Sequence, residues 1–281
     1  MPTKSIKSIC FFHRPHHARA IRWVQKIERS ILKKHPRIKI TDRKPNVVIV
    51  LGGDGTILEA ARRYAKTKSI ILGLNLGQVG FLASVREPNK FIPAVKTFLN
   101  GRYELVERMM LTAEVIRKRK IVRAVTALND ITVQNPLGIV ELRVVIENHP
   151  MQYIRGTGVL VSTSTGSTGY NLSAHGPIVM PDIRCFIITE LLDHNLPTPS
   201  IVVKHNKDVF IKIVDFRKRG LLALPQTNEL IDVILTADGE SIFPLEKYDT
   251  VVVKRSPASI CFAELEKGYF FKSLQEKFAF K

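Results

Sequence analysis

Five consecutive residues concentrate the chemistry of this 281-residue chain: Gly52-Gly53-Asp54-Gly55-Thr56, placed between the apolar run Val47 to Leu51 and a helical stretch from Ile57. Glycines at a strand-to-helix junction let the backbone approach a phosphate closely, and a helix start offers free N–H groups at its positive dipole end. Gly52, Gly53, Gly55 and Thr56 therefore suit a phosphate. Asp54, set between glycines, can accept a proton from a substrate hydroxyl while phosphate lies on the neighbouring amides, as phosphoryl transfer requires. A structural account competes. Thr56-Ile57-Leu58-Glu59 fits the S/T-x-x-E capping box, which explains Thr56 and Glu59 without a ligand and leaves only Asp54 over.

Three later segments carry further polar groups. Asn129-Asp130 sets an amide beside a carboxylate between apolar runs, a pair that donates and accepts together and so can grip vicinal hydroxyls. Asn-Asp is equally a common turn pair. The run Thr163-Ser164-Thr165-Gly166-Ser167-Thr168-Gly169-Tyr170 packs five aliphatic hydroxyls and two glycines into eight residues. Such neutral donors suit a pyrophosphate, and Tyr170 can cover a ring, although a Ser/Thr/Gly run is more often a plain loop. Asn171-Leu172-Ser173-Ala174 reads as a helix start directly behind it, a second candidate anion seat. Asp238-Gly239, between strand-like runs, is first of all a type I′ hairpin turn.

These residues need elements to hold them. Ser8 to Phe12 reads as a strand, and His17 to Lys34 as a helix with Ile21, Val24, Ile27 and Ile31 on one face. Val47 to Leu51 is apolar on both faces, as a buried parallel strand is, and is followed by helical Ile57 to Tyr64 and a third strand, Ile70 to Leu74. Alternating strand and helix implies an open, mainly parallel α/β layer with ligands at the carboxyl ends of its strands. After the helical Pro88 to Leu99, short alternating runs follow: Tyr103 to Val106, Leu111 to Ile116, Ile121 to Leu128, Ile131 to Gln134 and Val140 to Ile146. They continue with Ser200 to Val203, Val209 to Val214, Asp232 to Leu235 and Thr250 to Val253, the texture of an all-β domain. The last twenty residues regain helical character, with Leu265, Phe270, Phe271, Leu274 and Phe278. The expected organisation is an α/β domain over 1–100 and about 262–281, to which the C-terminal tail returns, and an all-β C-terminal domain over 101–261.

With 45% hydrophobic and 24% charged residues the chain has ample material for a core. Its net charge of +18 favours phosphate-bearing or polyanionic partners. The basic residues are dispersed, and the densest run, Arg117-Lys118-Arg119-Lys120, reads as a solvated hairpin turn, so nucleic acid is not expected. Cys10, Cys185 and Cys261 are widely separated and form no CxxC, which fits a reducing cytoplasm and suggests neither disulfides nor a zinc site. No apolar run approaches the ~20 residues of a membrane span. The acid-poor start, in which Glu28 is the first carboxylate, has the look of a transit peptide. Ser8 to Phe12 reads instead as a core strand.

Taken together, the motifs resemble those of the NAD kinase family over nearly the whole length. The GGDGT run occurs also in diacylglycerol kinases, sphingosine-type lipid kinases and phosphofructokinases. Asn75-Leu76-Gly77-Gln78-Val79-Gly80-Phe81-Leu82 looks like the family's N-x-G-x-x-G-F-L segment and Leu128-Asn129-Asp130 its A-L-N-E/D segment. Ser162 to Tyr170 is similar to S-T-P-T-G-S-T-A-Y. Arg108-Met109-Met110-Leu111 and Asp238-Gly239 agree as well.

The resemblance implies transfer of the γ-phosphoryl group of ATP, with Mg²⁺, to the 2′-hydroxyl of the adenosine ribose of NAD, giving NADP. It implies Asp54 as the catalytic base and NAD contacts from Asp54, Gly55, Asn75, Phe81, Asn129, Asp130, Thr157, Thr165, Ser167, Thr168, Gly169 and Tyr170. Phosphate contacts would come from Gly52, Gly53, Gly55, Thr56, Thr163 and Gly166, with Asp238 as a further family position. Phe81 would be an aromatic wall of the NAD site; the plainer reading makes Phe81 and Leu82 core, and for Leu82 it is the better one. No Walker-A run is present, so Mg²⁺ would ride on the nucleotide phosphates without protein side-chain ligands. Family members are homodimers or homotetramers whose NAD sites borrow residues from a neighbour. The chain also departs from the pattern. Thr157 replaces the Asp of the family's G-D-G, associated with the nicotinamide end, Asp130 is a methylene shorter than the commoner Glu, and Ser164, Gly169 and His175 replace Pro, Ala and Gly. A shifted preference between NAD and NADH follows as an expectation. The competing functions are a lipid or sugar kinase sharing the GGDGT layer and a dinucleotide sensor without catalysis.

Overall fold

The computed structural model describes residues 6–77, 80–194, 198–220, 222–224 and 228–278. In chain order its first elements are β1 (Ser8–Phe12), α1 (Ala18–Lys34), β2 (Lys39–Ile40), β3 (Val47–Gly52), α2 (Asp54–Tyr64), β4 (Ile70–Asn75) and α3 (Phe91–Leu99). Next come β5 (Glu104–Arg117), β6 (Lys120–Ala127), β7 (Asp130–Gln134), β8 (Val140–Ile146), β9 (His149–Thr163), α4 (Tyr170–Ser173) and β10 (Cys185–Asp193). The chain closes with β11 (Ile201–Lys204), β12 (Val209–Phe216), β13 (Leu222–Ala223), β14 (Leu230–Ile231), β15 (Val233–Ala237), β16 (Phe243–Leu245), β17 (Thr250–Glu264) and α5 (Tyr269–Phe278). Two compact units result, 1–108 with 258–281, and 109–257.

The first unit is an open parallel sheet in the order β2-β1-β3-β4, extended beyond β4 by the end of β17. Every residue of β3 is buried, because helices cover both faces of such a sheet. Ile27 and Ile31 of α1 and Phe91, Val95 and Phe98 of α3 join the β3 and β4 side chains in one core cluster. The imidazole of His17 accepts the amide of Ala20 at 3.1 Å and so caps α1, an N-cap that polar side chains provide. α2 begins at Asp54, three residues before the expected start, with Gly53 as its N-cap. Thr56 therefore lies inside the helix and donates its amide to Gly53 O at 3.0 Å, so it is not the cap that the capping-box reading requires.

The second unit is antiparallel, in the order β16-β15-β7-β9-β8-β12, with the start of β17 pairing β12. β9 organises it. Its first half pairs β8, and its second half lies between β7 and β10. Gly156 and Gly158 sit where these neighbours press closest: a Cβ on Gly156 would run into the backbone of Leu192 and Asp193, and one on Gly158 into Val133 and Gln134. Strand glycines mark this kind of close approach. Val, Ile and Leu side chains of β5 to β10, β12, β15 and β17 fill one buried cluster. β5 and β6 meet at Lys118 and Arg119, both at positive φ, the two-residue turn expected of the basic run.

Candidate active site

In the first unit the functional groups gather at the carboxyl edge of the parallel sheet. β3 ends at Gly52, which is glycine because a Cβ there would lie 2.5 Å from the Thr56 hydroxyl. Gly53 follows in an extended conformation, and a Cβ on it would touch nothing within 4 Å, which leaves its face open. The first amides of α2, around Gly53 to Gly55, have no intrahelical partner and point along the positive end of the helix. Asn75 closes β4, with its Oδ1 accepting the Gly77 amide at 2.8 Å and so shaping the following turn. Gln78 and Val79 lie outside the described residues.

Asp54 is held from the other side of that turn. Its Oδ2 accepts the amide of Phe81 at 2.8 Å and its Oδ1 that of Leu82 at 3.4 Å. A Cβ on Gly80 would fall on the same carboxylate, so this glycine is what lets the backbone close over it. Burial pushes the Asp54 carboxyl above its ordinary range, while the two amides and then the charges of Lys277 and Arg86 pull part of the way back. A carboxyl raised by burial at a helix N-terminus is a stronger base than a free one and suited to proton abstraction.

Phe81 is 8% exposed and packs between Phe270 and Phe278 of α5 at 6.1 and 6.2 Å between ring centroids. Its ring is thus committed to an aromatic cluster, and Leu82 is buried beside it. Two cations here carried no pattern in the sequence. Arg14 Nη2 lies 3.4 Å from where a Cβ of Gly55 would be, and Lys277 Nζ sits 4.9 Å over the Phe81 ring. Arg14 follows the carboxyl end of β1, the edge where open α/β sheets bind ligands, which is the one signal that could have found it.

In the second unit the centre is Asn129-Asp130 at the start of β7. The Asp238 carboxylate accepts the amides of Leu128, Asn129 and Asp130 at 3.0, 2.7 and 3.2 Å. Asp238 and Gly239 both take positive φ in the turn from Ala237 to Glu240, as the hairpin reading expects, and the turn brings that carboxylate to the strand start. Asp130 is 4% exposed, and its carboxyl is pushed up to about 7, first by burial and then by the Asp238 charge beside it. Asn129 Oδ1 is buried without a hydrogen-bond partner, the state in which a donor hydroxyl is most strongly welcomed.

The hydroxyl-rich run wraps around this pair, and most of its groups are spent within the chain. Thr163 Oγ1 donates to Leu128 O at 2.7 Å and accepts the Gly166 amide at 3.0 Å, so neither group is a free donor to a phosphate. Ser167 Oγ bonds Val179 in both directions, and Thr168 Oγ1 donates to Thr165 O. Residues Thr165–Thr168 form a single 3₁₀ turn, and α4 is one turn long. The anion seat expected at the start of a helix is thus a buried turn. A Cβ on Gly166 would strike the Asn129 carbonyl, and one on Gly169 would lie 3.2 Å from Asn129 Nδ2, so these glycines let the loop close on Asn129. Tyr170 is 42% exposed, with Oη 3.5 Å from Gln134 Oε1, and remains open as a ring cover. Thr157 lies apart from this group. Asp130 pairs with Ser162, five residues further along β9, a distance of roughly 16 Å.

Comparison with known proteins completes the picture. Residues 33–103 match the ATP-NAD kinase N-terminal domain and residues 128–265 the ATP-NAD kinase C-terminal domain. The NAD kinase of Natranaerobius thermophilus is 36% identical over 233 residues, 82% of this chain and 77% of that protein. This chain belongs to the NAD kinase family. The NAD kinase of Lachnoclostridium phytofermentans is 37% identical over 237 residues, covering 83% of this chain and 80% of its own. The fold agrees too: yeast NADH kinase, solved with NADH, superposes with a TM-score of 0.85 at 18% identity over 99% of this chain and 89% of its own. An NAD kinase from Archaeoglobus fulgidus, solved with ATP, gives 0.74 at 22% identity over 97% of each.

Proposed function

We propose that this chain transfers the γ-phosphoryl group of ATP to the 2′-hydroxyl of the adenosine ribose of NAD, giving NADP, with Asp54 as general base. The observation that carries the reading is the Asp54 carboxylate itself, half-buried at the start of α2 and fixed by the amides of Phe81 and Leu82. Asp54 takes the hydroxyl proton as the ribose oxygen bonds to the γ-phosphorus, and ADP leaves with the electrons of the broken P–O bond. The helix-start amides of Gly53 to Gly55 and the Arg14 guanidinium are assigned to the phosphates. Asn129 and Asp130 are assigned to the ribose hydroxyls, with Asp238 holding them in place, and Tyr170 to a ring of the dinucleotide.

Among the described residues no three His, Cys, Asp or Glu side chains converge as a metal site. The oxygen ligands that Mg²⁺ demands are assigned to the ATP phosphates, whose charge the ion neutralises when bound. Because Thr157 stands about five residues along β9 from the ribose pair, its contact with the nicotinamide end is assigned to a neighbouring subunit of a homodimer or homotetramer. Thr157 carries no charge where the family pattern has a carboxylate, which removes a preference for the cationic nicotinamide ring of NAD over the neutral ring of NADH. NADH is accordingly proposed as a second acceptor. Three free thiols fit a reducing, cytoplasmic setting, and no helix among the described residues is long and apolar enough to cross a membrane.

The test is direct. Pure protein with ATP, Mg²⁺ and NAD or NADH should yield product that an NADP-specific dehydrogenase detects. Absence of product with both acceptors would remove the reading.

A further inference from the structure

The C-terminal helix carries a charge that the family motifs do not call for. Phe81 serves two partners at once: its amide bonds Asp54 Oδ2 at 2.8 Å, and its ring bears the Lys277 ammonium at 4.9 Å. Phe270 and Phe278 of the same helix clamp that ring, which fixes where the ammonium stands. Lys277 has no carboxylate partner among the described residues. Arg86, the other cation whose charge reaches Asp54, is already engaged by Glu276, Ser273 and the Tyr269 hydroxyl. The charge of Asp54 is also felt by Tyr269, whose hydroxyl donates to Ala83 O.

We propose that Lys277 is a positioning residue for Asp54: its ammonium, seated on the ring of the same Phe81 whose amide holds Asp54 Oδ2, favours the charged form of that half-buried carboxylate and so its readiness to take the ribose hydroxyl proton. Burial favours the protonated acid, which is no base; the amides of Phe81 and Leu82 oppose this first, and the positive charge of Lys277 adds to them. Placing that charge on an aromatic face rather than in a salt bridge has a further consequence. The carboxylate keeps its lone pairs for the substrate proton instead of sharing them with a direct ion-pair donor. The inference rests on Asp54 being the base. The C-terminal helix then has a role in the chemistry as well as in the packing of the first unit.

The experiment is the pH profile of kcat/KM for the full chain and its Lys277→Gln and Lys277→Arg variants, with Asp54→Asn in parallel and thermal melting as the control for folding. Lys277→Gln should move the acid limb to higher pH, losing roughly threefold or more activity at the acid end and progressively less toward alkaline pH. Lys277→Arg should restore the original limb. A limb that stays in place in Lys277→Gln while Asp54→Asn is inactive overturns the role of Lys277 and leaves the base intact. A uniform loss at every pH, with an unmoved limb, overturns it equally. Full activity in Asp54→Asn removes the base and this inference with it.

Discussion

The two polar clusters spend their hydrogen bonds differently. Around Asp54 the backbone closes on a single carboxylate, while the first amides of α2 and the Gly53 face stay open. Around Asn129 the hydroxyls of Ser162, Thr163, Ser167 and Thr168 turn inward, onto the backbone carbonyls of Asn129, Leu128, Val179 and Thr165. Both segments looked like phosphate seats in the sequence, because glycine and hydroxyl residues serve close packing and anion binding alike. What separates them is the element behind them. An 11-residue helix leaves amides to offer, whereas a one-turn helix and a 3₁₀ turn consume theirs.

Breaking the first cluster should have the larger effect. Gly80→Ala drives a Cβ into the Asp54 carboxylate, and we expect kcat to fall by about 100-fold or more while the protein still folds, measured by steady-state kinetics beside circular dichroism. The same kind of change in the second cluster should read out as stability. Thr163→Val leaves Leu128 O and the Gly166 amide unpaired in a buried place, at a cost of about 2 kcal/mol in denaturant unfolding. KM for ATP should change by less than about twofold, since no free donor is lost.

Asp130 sharpens the comparison through pH. Its folded-state carboxyl is raised to about 7 from an ordinary 3.8, so the folded protein holds a proton that the unfolded chain has released. Stability should therefore fall as pH rises from about 4 to about 7 and level off above. Asp130→Asn should be more stable than the parent at pH 8, by on the order of 1–3 kcal/mol, and equal to it near pH 4. Chemical denaturation at the two pH values decides this. The smallest effect is expected at Thr157, where Thr157→Asp should raise the NAD:NADH ratio of kcat/KM by roughly threefold to tenfold.

Much of the first unit was legible in the sequence. Val47 to Leu51 is apolar at every position because helices cover both faces of a parallel strand, and a residue run of that kind has few other uses. The start of α2 was not legible, since Asp54-Gly55 lacks a helical apolar pattern and the capping box pointed three residues later. The second unit hid more. β9 is not among the expected strands; Gly156 and Gly158 interrupt its apolar pattern, and they sit there to admit the backbones of β10 and β7. Tyr103 to Val106 and Leu111 to Ile116 merge into one strand, β5, because the charge between them is accommodated: Arg108 is 6% exposed and paired with Glu264 at 2.8 Å. Asp54 and Asn129-Asp130 stood out by residue type and by the resemblance of their motifs. Lys277 and Arg14 did not, because a single cation leaves no periodic trace.

The central claim is that Asp54 takes the proton. Steady-state turnover and calorimetric NAD binding of Asp54→Asn test it together, since the amide keeps the shape of the side chain and loses only the basic oxygen. Turnover should fall by about 1,000-fold or more with the NAD dissociation constant within roughly threefold of the parent. Turnover retained at the parent level would contradict the account.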